Sequence, residues 1–200
     1  MRGASNDHLI PDDNPFIDGD GPNLDEIWSL GLRNPFRAHW DIPNDRFYIG
    51  EVGGNEQSTA REDLHLGRSG ANYGWPFCEG FNCVGLPTNP SITVDPPLYS
   101  YSHEGVTPAG GAIAAGFVYR SQPSFSSSYP SLYEEVFFFA DYATGDINYL
   151  VFNADGSVAS EVNFASNVGS PVALELGPDG ALYAVDYIGE RIIRLSLIHI

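Results

Sequence analysis

The sequence predicts an all-β fold of the β-propeller type, and three observations carry that prediction. Strand-like runs ending in an acid recur at a fixed interval, 22 Gly and 15 Pro interrupt any helical pattern, and 42% apolar residues in 200 suffice for a packed core. The runs are Phe47-Tyr-Ile-Gly-Glu51, Phe137-Phe-Phe-Ala-Asp141 and Leu182-Tyr-Ala-Val-Asp186. Asp141 and Asp186 stand 45 residues apart and Glu51 and Asp141 stand 90 apart, so the period is 45, and a missing copy would fall near residue 96, where the run Pro96 to Tyr101 has no acid. A repeat of about 40 to 50 residues holding several short strands has the length of a propeller blade. A single sandwich also has strands and turns but no reason to repeat at one interval. At this period the chain holds about four blades of an incomplete propeller.

Taken in order, Met1 to His8 lacks the apolar core of a signal peptide, and Asp18-Gly-Asp-Gly-Pro-Asn23 reads as a solvated turn because Pro22 breaks the spacing of a calcium loop. Asn23 to Leu32 has apolar residues at 24, 27, 28 and 30 with acids in its first turn, which predicts a short helical turn capped by Asn23 and stopped by Gly31. After Asp141 and Asp186 come second strands, Asp146 to Phe152 and Arg191 to Leu195, while Asp155-Gly156 and Asp179-Gly180 supply positive-φ turn chemistry. Residues 1–195 read as one partial domain and 196–200 as a non-native tail.

Composition excludes several functions. With 9 Lys+Arg against 26 Asp+Glu the net charge is −17, a field that repels nucleic acid and anionic membrane surfaces. The longest apolar run, Val136 to Ala140, is far short of the roughly 20 residues of a membrane span. No motif of a serine hydrolase, zincin, phosphate loop or dinucleotide fold is present. Among candidate residues, Arg33 and Asn34 set a guanidinium beside a carboxamide, suited to an anionic ligand or to pairing with a nearby acid. Gly53 and Gly54 either make a tight turn or expose carbonyls to a hard cation, and Asp63 can complete an oxygen site or lie on the surface. His103 reads as a hydrogen-bonded structural histidine. Cys78 and Cys83 bracket four residues and either close a small disulfide ring or remain two thiols.

Glu26-Ile-Trp-Ser-Leu-Gly-Leu-Arg-Asn-Pro-Phe-Arg37, Ile49-Gly-Glu-Val-Gly-Gly-Asn55, Gly70-Ala-Asn-Tyr-Gly-Trp-Pro76, Gly116-Phe-Val-Tyr-Arg120 and Phe138-Phe-Ala-Asp-Tyr142 together resemble the glucose/sorbosone dehydrogenase family. The resemblance implies a C-terminal fragment of a six-bladed, soluble, periplasmic or secreted quinoprotein that oxidises aldose sugars with pyrroloquinoline quinone (PQQ) and calcium, passing electrons to an acceptor. It implies cofactor contacts from Arg33 and Asn34, calcium held by the carbonyls of Gly53 and Gly54, and a second, structural calcium at Asp63 and the Tyr73 carbonyl. It implies no catalytic residue here, because the family's proton-abstracting histidine belongs to preceding blades, so this chain alone is expected not to oxidise glucose. Val52 stands where glucose oxidisers of the family have Gln, the cofactor-binding Lys that they have near the position of Ala143 is lost, and residues 166–173 lack the family's arginines. Fewer cations then meet a tricarboxylate. The alternative is a non-catalytic binding propeller of the same superfamily, like its hedgehog-interacting relatives.

Overall fold

A computed structural model describes residues 10–22, 24–87, 93–104 and 111–196. Its strands are β1 (Pro35–Asp41), β2 (Arg46–Glu51), β3 (Arg61–Gly67), β4 (Cys78–Glu79), β5 (Asn82–Cys83), β6 (Tyr99–Ser102), β7 (Ile113–Val118), β8 (Phe137–Asp141), β9 (Asp146–Phe152), β10 (Val158–Ala165), β11 (Pro171–Leu176), β12 (Leu182–Asp186) and β13 (Arg191–Leu195). They form three antiparallel sheets, β1-β2-β3-β6, β7-β8-β9-β10 and β11-β12-β13, plus the ribbon β4-β5. Among the described residues the helical content is two single 3-10 turns, at Ile42–Asn44 and Ser131–Tyr133. The three acid-terminated runs are β2, β8 and β12, the second strand of each sheet in chain order, as blades in radial sequence require.

Each acid performs the same local task. Glu51 lies opposite Pro35, Asp141 opposite Ile113 and Asp186 opposite Pro171, so each faces the first residue of its sheet. Each then accepts the backbone N–H at the entry of that first strand: Arg33 N to Glu51 Oε1, Ala112 N to Asp141 Oδ2 at 3.1 Å, and Ser170 N to Asp186 Oδ1 at 2.9 Å. The acids recur because each blade has one entry amide that needs an acceptor.

The middle sheet is buried on both faces, which explains its continuous apolar run. Alternate residues of β8 point opposite ways. Phe137 and Phe139 pack with Tyr48, Leu64 and Ile113 toward the first sheet, while Phe138 and Ala140 pack with Leu174, Leu182 and Ala184 toward the third. Strand β7 packs against both β1 and β11, which gathers the three first strands at the centre of the arc.

The incomplete propeller takes the form of three larger sheets and the ribbon among the described residues, and residue 96 lies in the long β3 to β6 connection, which carries the ribbon. The doubled interval is therefore an insertion within one blade. One expectation is corrected. The predicted helical turn is instead a β-turn, with Ile27 N donating to Leu24 O at 3.0 Å, followed by a bridge in which Leu30 N donates to Ala71 O at 2.9 Å and Tyr73 N donates to Leu30 O at 3.0 Å. Those long-range bonds use the amide and carbonyl that a helix would need. Its proposed cap, Asn23, lies outside the described residues, as do residues 1–9 and 197–200 of the leader and tail readings.

Candidate functional site

Two sites meet at the end of β2. The first is a concavity of about 490 Å³ lined by Asn34, Phe36, Arg37, Val52, Ala112, Tyr142, Val172 and Tyr187. Val52, Tyr142 and Tyr187 each follow one of the in-phase acids, so the 45-residue period sets the lining as well as the strands. All three sheets contribute, and Arg37 Nε donates to Val172 O at 2.8 Å, tying the first sheet to the third. The volume suits a small-molecule ligand. Among the described residues the lining combines aromatic planes, one guanidinium and one carboxamide, with no carboxylate and no histidine.

The second site lies within the first sheet. Glu51 and Asp63 sit directly opposite each other on β2 and β3, and His65 follows on the same face of β3. All three are buried, and one potential ligand atom from each lies within 4.8 Å of the others. His65 Nε2 lies 2.7 Å from Glu51 Oε2. Asp63 Oδ2 accepts Gly80 N at 2.8 Å, but Asp63 Oδ1 and His65 Nδ1 are buried without a hydrogen-bond partner. Burial raises the Asp63 carboxyl above its ordinary value. Arg33, Gly53, Tyr73 and Trp75 line the same small cavity.

The sequence-derived candidates thus divide between the two sites. Asn34 faces the concavity, whereas Arg33 turns the other way, its Nη1 donating to Val52 O at 3.0 Å and its guanidinium lying 5.5 Å from the Trp75 ring centre. Gly53 N donates to Glu62 Oε1 at 3.0 Å and Gly54 N to Glu79 Oε1 at 2.6 Å, and a Cβ on Gly53 would overlap the Arg61 carbonyl. Cys78 and Cys83 are joined by a disulfide across the β4-β5 ribbon, which covers the Asp63 cavity through Gly80. His103 is structural as read, its Nε2 lying 2.7 Å from Glu62 Oε1, and Glu62 Oε2 accepts Ile113 N at 2.7 Å from the next sheet. Burial pushes the Glu62 carboxyl upward.

The sequence reading missed His65, Glu51 as its partner, and Arg37. The signal was present: Arg61-Glu-Asp-Leu-His-Leu66 puts charge on both faces of a strand, and a strand of a packed blade keeps buried charge only where it has partners.

A cation fits the second site, since an unpaired buried carboxylate oxygen facing a second carboxylate calls for positive charge. PQQ fits the first only in part. The aromatic planes suit a flat ring, and among the described lining residues Arg37 is the one cation for its carboxylates.

Comparison with known proteins agrees with this architecture. The profile of the Glucose / Sorbosone dehydrogenase family matches residues 4–194. The HIPL2 protein of Arabidopsis thaliana is 30% identical over 189 residues, 90% of this chain and 26% of its own length. Aldose sugar dehydrogenase YliI of Escherichia coli (strain K12) is 27% identical over 203 residues, 94% of this chain and 48% of its own. A crystal structure of a glucose dehydrogenase superposes with a TM-score of 0.68 at 22% identity, covering 94% of this chain and 51% of that one. The PQQ-bound aldose sugar dehydrogenase of Streptomyces coelicolor gives 0.58 at 20% identity, covering 93% and 49%. The chain thus spans about half or less of the length of these proteins. With the family profile covering nearly every residue and the in-phase acids closing successive sheets, the chain belongs to the glucose/sorbosone dehydrogenase family.

Proposed function

We propose that this chain forms part of the axial face of a PQQ-dependent aldose sugar dehydrogenase, acting in an exported, oxidising compartment on a small-molecule sugar with a separate electron acceptor. The observation that carries the reading is the concavity built from the residues that follow the in-phase acids of three sheets. PQQ, when bound, supplies a quinone that accepts the electrons removed from the sugar. This chain's residues bind and orient. Tyr142 and Tyr187 offer planes for a ring, Asn34 offers a donor and an acceptor, and Arg37, fixed by the Val172 carbonyl, meets a carboxylate. The Gly53 and Gly54 carbonyls are the candidates for the quinone's calcium, and Asp63 with the Tyr73 carbonyl for a second cation. The Cys78–Cys83 disulfide supports such a compartment, since these bonds persist where the surroundings oxidise.

The lining includes no general base among the described residues, so on this reading the sugar hydroxyl proton goes to a group other than these. The test has two arms on the 200-residue chain. Equilibrium dialysis should show calcium-dependent PQQ binding that weakens at least fivefold in Arg37→Ala. A dye-linked aldose assay with PQQ and calcium should show no turnover. Absence of PQQ binding, or binding indifferent to Arg37→Ala, overturns the quinone reading in favour of a binding propeller. Turnover approaching that of a full-length family member overturns the assignment of the base elsewhere.

A further inference from the structure

We propose that the cleft beside the Cys78–Cys83 ribbon binds a neutral oligosaccharide, with the rings of Trp75, Phe77 and Phe81 as its stacking platform and Ser58, Asn82 and Glu104 as its hydrogen-bonding rim. The cleft shares no lining residue with the axial concavity, so the inference holds whether or not a quinone binds there.

Room and chemistry are the first argument. The cleft encloses about 880 Å³, against about 490 Å³ for the concavity, which accommodates several linked sugar rings rather than one. Trp75, Phe77 and Phe81 are 37%, 40% and 61% exposed, in a fold that buries Phe137, Phe138 and Phe139 completely. Large rings gathered at the surface within residues 75–81 mark a contact site. A sugar ring presents C–H groups on its faces, which meet the negative face of an aromatic ring, and hydroxyls at its edge, which need donors and acceptors alongside. The Asn82 carboxamide and the Ser58 hydroxyl offer both, and the Glu104 carboxylate accepts.

The second argument is charge. Arg61 is the one cation among the described lining residues, and its Nε and Nη2 donate to Ser100 Oγ at 2.7 Å and Ser100 O at 3.1 Å. Glu79 Oε1 is likewise taken up by the amides of Gly54 at 2.6 Å and Arg61 at 3.0 Å. An anion would meet Glu104 and a chain of net charge −17. A cation would gain little from Glu104, which is exposed to water. A neutral ligand rich in hydroxyls meets neither penalty.

The third is rigidity. Trp75 N donates to Gly31 O, Phe77 N to Gly74 O and Val84 N to Phe77 O, each at 2.8 Å, and the disulfide ties the two strands of the ribbon together. Gly74 has a φ of +94°, and a Cβ there would lie 2.7 Å from Cys78 Sγ, so the turn that projects Trp75 requires glycine. Rings fixed in this way lose little freedom when a ligand stacks on them.

The experiment titrates the full 200-residue chain, without PQQ, with maltopentaose, cellopentaose and glucose by isothermal calorimetry. One or other pentasaccharide should bind at one site per chain, with glucose at least tenfold weaker because a single ring spans only part of the platform. Phe81→Ala and Asn82→Ala should each weaken that binding at least fivefold, whereas Phe81→Tyr, which keeps the ring, should stay within twofold of the parent. Both positions are exposed, so the variants should keep the parent's near-UV circular dichroism. If Phe81→Ala does not, Asn82→Ala and Phe81→Tyr decide. Binding of neither pentasaccharide, or binding that the folded alanine variants leave unchanged, overturns the proposal. Self-association of the parent chain that Phe81→Ala abolishes also overturns it, and assigns this face to a protein contact.

Discussion

Val52 and Gly53 are neighbours in sequence, yet Val52 lines the axial concavity and Gly53 the Asp63 cavity, and the two sites are built on opposite principles. The concavity draws residues from three sheets, is open and aromatic, and exists only while the sheets stay packed. The Asp63 cavity draws on residues 33–80, is closed and charged, and depends on one blade with its ribbon. A site assembled from repeats inherits its positions from the period and its integrity from inter-blade packing. A site assembled within a repeat is set by local sequence and should survive damage to the other blades.

The largest effect should come from separating the sheets. Phe138 is fully buried between the second and third sheets, and Phe138→Ala should cost about 3 to 5 kcal/mol in urea denaturation. Under conditions where the variant remains folded, PQQ binding should fall more than cation binding in the Asp63 cavity. Equal loss of both would show the sites to be coupled.

Reducing the Cys78–Cys83 disulfide attacks the other side. The loop is short, so the loss should be about 2 kcal/mol, the lower end of the usual range. Opening the ribbon releases Gly80 from Asp63, so cation affinity in that cavity should fall while PQQ binding stays unchanged. Arg37→Ala should cost about 1 kcal/mol of stability, through the lost bond to the Val172 carbonyl, while weakening PQQ binding at least fivefold.

The smallest effect is a pH dependence of the third sheet. Amides of Ser170 and Gly189, with Arg191, hold the Asp186 carboxyl below its ordinary value. A carboxylate depressed in the folded state contributes stability that is full above the unfolded value, near 3.9, and is lost as pH falls through the lower folded value. Amide exchange in β11–β13 should therefore accelerate below about pH 4 in the parent, and Asp186→Asn should remove that dependence.

Much of the axial arrangement was legible in the sequence, because the period appears in one dimension: strands β2, β8 and β12, their acids, and the apolar run of β8 all follow from spacing and alternation. The division into sheets was not, because the 31 residues that join β3 to β6 lengthen one repeat so that it looks like two until β3 is seen to pair with β6. The turn at Leu24–Leu30 was misread because its apolar spacing is helical, while the deciding bonds run to Ala71 and Tyr73, more than 40 residues away. Asp63 was singled out, but its partners were not. That His65 shares its face follows from strand alternation, whereas the approach of Glu51 depends on the β2-β3 register, which the sequence does not print.

The most direct test of two independent sites is a paired titration, of PQQ in excess calcium and of calcium without PQQ, on Arg37→Ala and Asp63→Asn. The account predicts a double dissociation: Arg37→Ala weakens PQQ at least fivefold and leaves calcium unchanged, and Asp63→Asn weakens calcium at least tenfold and leaves PQQ unchanged. Loss of both ligands in either folded variant would contradict it.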